Sequence, residues 1–215
     1  MRPNIKEFAS IASHTLPLLE PIYEFGAFQV SWQTEFADLR PLFPNKEYVG
    51  CDMREGPGVD KILNLHAIEL PDESVGTVLC FDTLEHVEHP HKAMEEIHRI
   101  LKPNGIAVIS SVMNYPIHDY PYDYWRFTPE AFRSILKPFA ASFVGLQGDK
   151  NHPHTVVGVG IKNSGVALTQ FAEQYDAWRK ADSRSIRQNI LKLTPPVLLP
   201  MITRVYQFWF GLFHG

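Results

Sequence analysis

Apolar residues along this chain fall into short runs alternating with stretches of helical periodicity. Residues Asn4 to Leu19 place Ile5, Phe8, Ile11, Ala12 and Leu16 at helical spacing, which predicts an amphipathic helix ending before Pro17 or Pro21. Four runs of strand length follow, each closed by polar or turn residues: Ile22 to Gly26, Glu47 to Asp52, Asp60 to Asn64 and Gly76 to Phe81. From Pro90 to Leu101 a 3.6-residue period returns. Ala93, Met94, Ile97, Ile100 and Leu101 form one face and Lys92, Glu95, Glu96 and Arg99 the other. Pro103-Asn104-Gly105 stops this helix ahead of a β-branched strand, Ile106 to Val112. Thr128 reads as the N-cap of a further helix with Pro129 at its first position, and strands from about Ala141 to Leu146 and Thr155 to Ile161 complete the series. Strands alternating with helices predict an α/β fold: a mostly parallel, doubly wound sheet of seven strands covered on both faces.

Composition narrows the function classes. With 45% hydrophobic and 20% charged residues, the 215-residue chain has the balance of a folded globule large enough to need no disulfide or metal staple. A formal charge of −4 and the absence of a long basic run give no footprint for nucleic acid. Cys51 and Cys80 each lie inside an apolar run, as buried thiols rather than a disulfide pair. The first 13 residues lack the continuous apolar segment of a secretory signal, so a cytoplasmic location is the default expectation. The character of the chain changes at residue 163. A domain spanning 1–162 is expected to be followed by a C-terminal helical extension, 163–215, with a charged helical stretch from Ala167 to Leu193. Its tail, Met201 to Phe213, is nearly uncharged and aromatic. Three roles fit this tail: a helix docked on the domain or on a second copy in a homodimer, a peripheral membrane helix, or a span shortened by Pro195, Pro196 and Pro200.

The most informative block runs Phe81-Asp82-Thr83-Leu84-Glu85-His86-Val87, then an amphipathic helix, then Leu101-Lys102-Pro103-Asn104-Gly105. This ordered pair of turns resembles the class I S-adenosylmethionine-dependent methyltransferases, of the type 11 kind, around their fourth and fifth strands. The resemblance implies a Rossmann-like sheet, S-adenosylmethionine as cofactor, and a site beyond the carboxyl ends of the strands where their order reverses. It implies cofactor-binding roles for Glu24 and Gly26 after the first strand, Asp52 after the second, Leu65 and His66 after the third, and Phe81 and Asp82 after the fourth. A carboxylate at position 52 can accept hydrogen bonds from both ribose hydroxyls. The alternative for Asp52 is the cap of a loop, with Gly56-Pro57-Gly58 forming a turn after it, and Phe81 reads equally as core. The chain departs from the family's Gly-x-Gly-x-Gly loop, with Phe28 and Val30 standing at glycine positions. That leaves either an altered loop path, weak binding, or a methyltransferase-like binding or scaffold domain without catalysis.

The segment from Met113 to Arg126 is dense in aromatic, acidic and histidine residues and is expected to cover the acceptor. His118 is the candidate base and Asp119 its orienting partner, with Tyr122, Trp125 and Arg126 as acceptor contacts. Tyr124 to Pro129 is similar to methyltransferases of surface-polysaccharide synthesis, so the resemblance implies a carbohydrate or other small-molecule hydroxyl as acceptor. His86, His89 and His91 have spacings at which imidazoles can share an ion. Without further ligands at suitable spacing, no metal site is expected from them. Ser110-Ser111 lacks the glycines of a nucleophile elbow.

Overall fold

A computed structural model describes residues 2–30, 37–148, 153–163 and 167–193. Helix α1, Pro3–Thr15, leads into β1, Ile22–Phe25. The following elements are β2 (Tyr48–Asp52), β3 (Lys61–Ile62), β4 (Val75–Phe81), α2 (Pro90–Ile100), β5 (Leu101–Val112), α3 (Pro129–Ile135), β6 (Ala141–Gly148), β7 (Pro153–Ile161) and α4 (Thr169–Leu193). The strands form one seven-stranded sheet in the order β3-β2-β1-β4-β5-β7-β6, parallel except for β7, which pairs antiparallel with both β5 and β6. Strand order reverses between β1 and β4, which places a crevice at their carboxyl ends.

Each central strand buries both faces, so its alternation separates two cores rather than core from solvent. Val78 and Cys80 of β4, with Ala107 and Ile109 of β5, meet Ala93, Met94 and Ile97 of α2. Leu79, Phe81, Ile106 and Val108 point the opposite way, toward Ile5, Phe8 and Ala12 of α1 and Phe171 of α4. The ring of Phe81 packs edge-on against Phe8, with centroids 6.1 Å apart. Phe81 is therefore core; at the end of a strand, side-chain parity decides whether a residue faces the ligand crevice or a covering helix.

Element boundaries differ from expectation where turn chemistry intervenes. Helix α1 ends at Thr15, the earlier of the two expected stops, because Leu16 is extended before Pro17. Strand β5 begins at Leu101 rather than Ile106: Leu101 pairs with Val75 and Ile106 with Thr77, and the residues between them bulge out around Asn104 at φ 63°. Thr128 caps α3 as expected, its side chain accepting the amide of Ala131 at 3.2 Å. Helix α4 docks its first turns on the domain, burying Phe171 and Tyr175. The tail from Met201 to Phe213 lies outside the described residues. Among the described residues, no helix is long and apolar enough to cross a membrane.

Candidate active site

The carboxyl ends of β1, β2 and β4 meet around Gly26. Amides of Gly26 and Ala27 both donate to the Cys51 carbonyl, at 2.9 and 3.0 Å, turning the chain sharply off β1. Gly26 sits at φ +86°, and a Cβ there would lie 2.0 Å from Thr83 Oγ1. Only glycine allows the β1 and β4 ends to approach this closely. Phe28 leans across the end of β2, where its ring occupies the space a Cβ on Gly56 would fill, under the Arg54 guanidinium at 4.6 Å. Phe28 thus turns its bulk toward the residues after β2.

Asp52 closes β2 with its side chain only 10% exposed. Its Oδ1 accepts the Arg54 amide at 3.0 Å and Nε of the same arginine at 3.3 Å, so it both caps its loop and presents a carboxylate at the strand end. Arg54 also reaches Asp119, 3.7 Å away, across the front of the crevice.

The other residues expected to hold the cofactor are distributed differently. Glu24 is buried on the α1 side, where its carboxylate accepts the Tyr48 hydroxyl at 2.6 Å. Burial pushes its pKa up to about 7. It is already partnered inside the fold rather than open to the crevice. Leu65 is core. His66 clamps the β3 end to the start of α2: its Nδ1 lies 3.2 Å from Asn64 Oδ1 and its Nε2 accepts the amide of His89 at 3.1 Å. Asp82, at φ +46°, accepts Arg2 through Nε and Nη2, at 3.0 and 2.9 Å, and the Ser110 hydroxyl at 3.0 Å. Burial works to raise its pKa, but Arg2 overrides this and holds the carboxylate below its ordinary range. Arg2, from the start of the chain, had no motif to mark it.

Beyond Val112 the segment expected to cover the acceptor is tied down along its length. Amides of Tyr124 and Trp125 donate to the Glu85 carbonyl at 2.8 and 3.2 Å, and Trp125 Nε1 donates to the Val87 carbonyl at 3.0 Å. Arg126 spends its donors inside the loop, on Asp123 at 2.6 and 2.8 Å and on the carbonyls of Tyr115, Pro116 and Trp125. Trp125 and Arg126, expected at the acceptor, are pins of the loop; Tyr122 stands exposed. His118 has a carboxylate partner, but it is Asp123, 3.2 Å from Nδ1, rather than Asp119. Asp119 sits at φ +52° and turns toward Arg54. Neighbouring positions in a tight turn point apart, so spacing alone could not choose between the two acids.

Glu85 and His86, in the short 3₁₀ turn Leu84–His86 after β4, lie beneath this loop. The His86 and His118 rings meet edge to face with centroids 4.7 Å apart, and one ligand-type atom from each of Glu85, His86 and His118 falls within 4.8 Å of the other two. Glu85 is fully buried. Its Oε2 accepts the Ser111 hydroxyl at 2.6 Å, and Oε1 has no hydrogen-bond partner among the described residues. Burial first, and the nearby Asp82 second, push its pKa up to about 8. His89 and His91 are not part of this group; His89 instead faces His66.

The sequence model of a family described as a methyltransferase domain matches residues 40–109, from the turn before β2 into β5. The match covers about a third of the chain and makes this segment similar to methyltransferase domains. A search of curated proteins by sequence found no match. Among solved structures, an S-adenosylmethionine-dependent methyltransferase of Thermotoga maritima is 19% identical over 74% of this chain and 92% of its own, with a TM-score of 0.52. The methyltransferase CalH, solved with S-adenosylhomocysteine, is 15% identical over 74% of this chain and 55% of its own, TM-score 0.55. The methyltransferase domain of the citrinin polyketide synthase is 14% identical over 67% of this chain, TM-score 0.52. This chain spans about half the length of that structure, 46%. These likenesses show the fold. The crevice holds groups that fit a nucleoside cofactor such as the S-adenosylmethionine implied by the resemblance. Asp52 has Oδ2 unengaged by hydrogen bonds among the described residues, leaving a carboxylate oxygen at the end of β2 that can accept from a nucleoside's hydroxyls.

Proposed function

We propose that the domain transfers a methyl group from S-adenosylmethionine to a hydroxyl of a small-molecule or carbohydrate acceptor held under the 113–126 segment. The observation that carries this reading is Asp52, a largely buried carboxylate at the end of β2 whose Oδ2 is unengaged among the described residues, beside the β1–β4 switch point. When bound, the cofactor supplies an electrophilic methyl on a sulfonium sulfur; the C–S bond breaks as the new O–C bond forms, leaving the thioether. The protein's part is to hold donor and acceptor in line and to take the hydroxyl proton. Asp52 accepts the ribose hydroxyls, with the exposed Arg54 bond giving way. Gly26 keeps the β1 turn low enough for close approach. On the acceptor side, Glu85, His86 and His118 form the cluster that receives the acceptor hydroxyl and its proton. The fixed loop above them excludes water.

Calorimetric titration with S-adenosylmethionine and S-adenosylhomocysteine tests the reading. Both should bind, and Asp52→Ala should weaken binding by about 1.5–3 kcal/mol, the worth of a hydrogen bond to a charged group. Arg54→Ala should alter affinity by no more than about 1 kcal/mol, since it removes only an exposed pair. Absence of binding of either nucleoside at millimolar concentration would defeat the enzymatic reading, and unchanged affinity in Asp52→Ala would remove that residue from the site.

A further inference from the structure

We propose that Glu85, His86 and His118 bind a divalent transition-metal cation of the Zn2+ type, placed to coordinate an oxygen of the acceptor. Spacing along the sequence brings together His86, His89 and His91, a set without further ligands. Folding separates those three and brings His118, 32 residues further along, onto His86 instead.

Two independent features single the cluster out. The first is the donor set and its spacing. Two imidazoles and a carboxylate are the ligand types that imidazole-preferring divalent ions take, and a three-residue set leaves at least one coordination position open. The ligand atoms, within 4.8 Å of one another, need to close by about 1–1.5 Å to reach the separations set by metal–ligand bonds near 2.1 Å. Tilting of the two partly exposed histidine rings about their Nδ1 contacts, which swings Nε2 inward, supplies that movement. The second is the orphaned Oε1 of Glu85. A fully buried carboxylate oxygen without a donor is costly unless something positive meets it, and this one belongs to a residue of the cluster. Arg2 and Arg126, whose charges act on Glu85, spend their side-chain ion pairs on Asp82 and Asp123.

The outer contacts fix both rings in the form a metal requires. His86 Nδ1 lies 2.7 Å from the carbonyl oxygen of Tyr122. A carbonyl only accepts, so Nδ1 carries the proton and Nε2 keeps its lone pair. His118 Nδ1 lies 3.2 Å from both the Pro116 carbonyl and Asp123 Oδ2, again acceptors only, which leaves Nε2 as the ligand atom. Asp123 is itself gripped by both Nη groups of Arg126. Ring orientation by a backbone carbonyl on one histidine and by a carboxylate on the other is the outer-shell pattern of metal-bound imidazoles. It also gives the Arg126–Asp123 pair a purpose beyond holding the loop: keeping His118 aimed.

Metal binding stands apart from methyl transfer, whereas the cation's role toward the acceptor rests on the function proposed above. With the cluster's lone pairs committed to the cation, it no longer takes the acceptor proton itself; an acceptor hydroxyl in the open position would be acidified by the cation, release its proton to solvent as it binds, and be fixed as an alkoxide for in-line attack. The test uses the full chain, stripped with a chelator and titrated with Co2+, followed by its visible absorption, and with Zn2+ in competition. The expected result is one equivalent bound, with absorption typical of low-coordinate Co2+. His86→Ala and His118→Ala should each weaken binding by at least tenfold, and Asp123→Asn by roughly 10- to 100-fold through the outer contact alone. His91→Ala should leave binding unchanged. Glu85→Gln, which keeps the shape of the buried side chain, should also weaken binding while retaining the circular dichroism spectrum of the parent. No saturable Co2+ or Zn2+ binding, or binding unaffected by His86→Ala and His118→Ala, would overturn the inference. Either outcome leaves the nucleoside titration with Asp52→Ala as a separate test of methyl transfer.

Discussion

Glu24 stands where the resemblance placed a cofactor contact, yet its neighbours make it a buried acid with a phenol for a partner. Tyr48 donates to it at 2.6 Å on the α1 face, and burial lifts its pKa to about 7 from an ordinary value of 4.5. An acid with a raised folded-state pKa binds its proton more tightly in the native chain than in the unfolded one. Stability from this group is therefore greatest at acid pH and falls as pH rises from about 4.5 through 7. Glu24→Gln keeps an oxygen to accept from Tyr48 and cannot ionise. Measured by urea unfolding at pH 5, 6, 7 and 8, the parent should lose stability relative to Glu24→Gln as pH rises, with the difference levelling off above about pH 8. Parallel profiles would show that Glu24 does not titrate in that range. The same contrast between residue type and surroundings explains the loop residues. Arg126 and Asp119 carry suitable chemistry for an acceptor site, but one is saturated by carbonyls and Asp123 and the other is turned toward Arg54.

At the scale of elements, strands and helices followed from periodicity because burial on both faces imposes it. The α2 stripe of Ala93, Met94, Ile97 and Ile100 is buried as its spacing requires. Turn chemistry was equally legible at α3, whose Thr128 accepts from Ala131 with Pro129 following. Replacing Thr128 by Ala should cost about 1 kcal/mol in urea unfolding, the usual worth of such a cap, while Thr128→Ser should recover most of it. A loss in Thr128→Ser equal to that in Thr128→Ala would mean the methyl group rather than the hydroxyl matters. What periodicity could not show is which strand-end side chains face the crevice. Phe81 and Asp82 are adjacent, yet one packs on Phe8 and the other binds Arg2 across 80 residues of sequence. The partners that organise the site, Arg2 with Asp82, Ser111 with Glu85 and Asp123 with His118, join positions with no shared motif. The position of Asp52 at the end of β2 was legible because a strand's last residue needs no distant partner to place it. The pairing of His118 with His86 was not, because it depends on the path of the whole 113–126 loop.

For the whole molecule, the open question is whether α4 is an appendage or part of the domain's cooperative unit. A change of composition at residue 163 suggests a boundary, but the start of α4 closes one face of the sheet together with α1. Phe171 is fully buried in the same core as Phe8, Leu79 and Val108, its ring 5.9 Å from Phe8 and 5.2 Å from Phe143. Tyr175 receives the Leu146 amide at 2.6 Å and donates back to the carbonyl of the same residue at 2.5 Å, bonding the helix to β6. Gly145 makes that contact possible, since a Cβ there would meet the Tyr175 ring 2.4 Å away. Trp178 completes the layer by donating to Glu7 of α1 at 2.8 Å. Truncating Phe171 to Ala should therefore cost about 3–5 kcal/mol, as for a buried aromatic in any core, and lower the midpoint of the entire domain. Hydrogen exchange separates the two views. If α4 is integral, amides of Val78, Leu79 and Val108, deep in β4 and β5, lose protection in Phe171→Ala by the same free energy as the loss in urea unfolding. Undiminished protection of those amides, with faster exchange confined to α4, would instead make the helix a separately melting attachment to a self-sufficient domain.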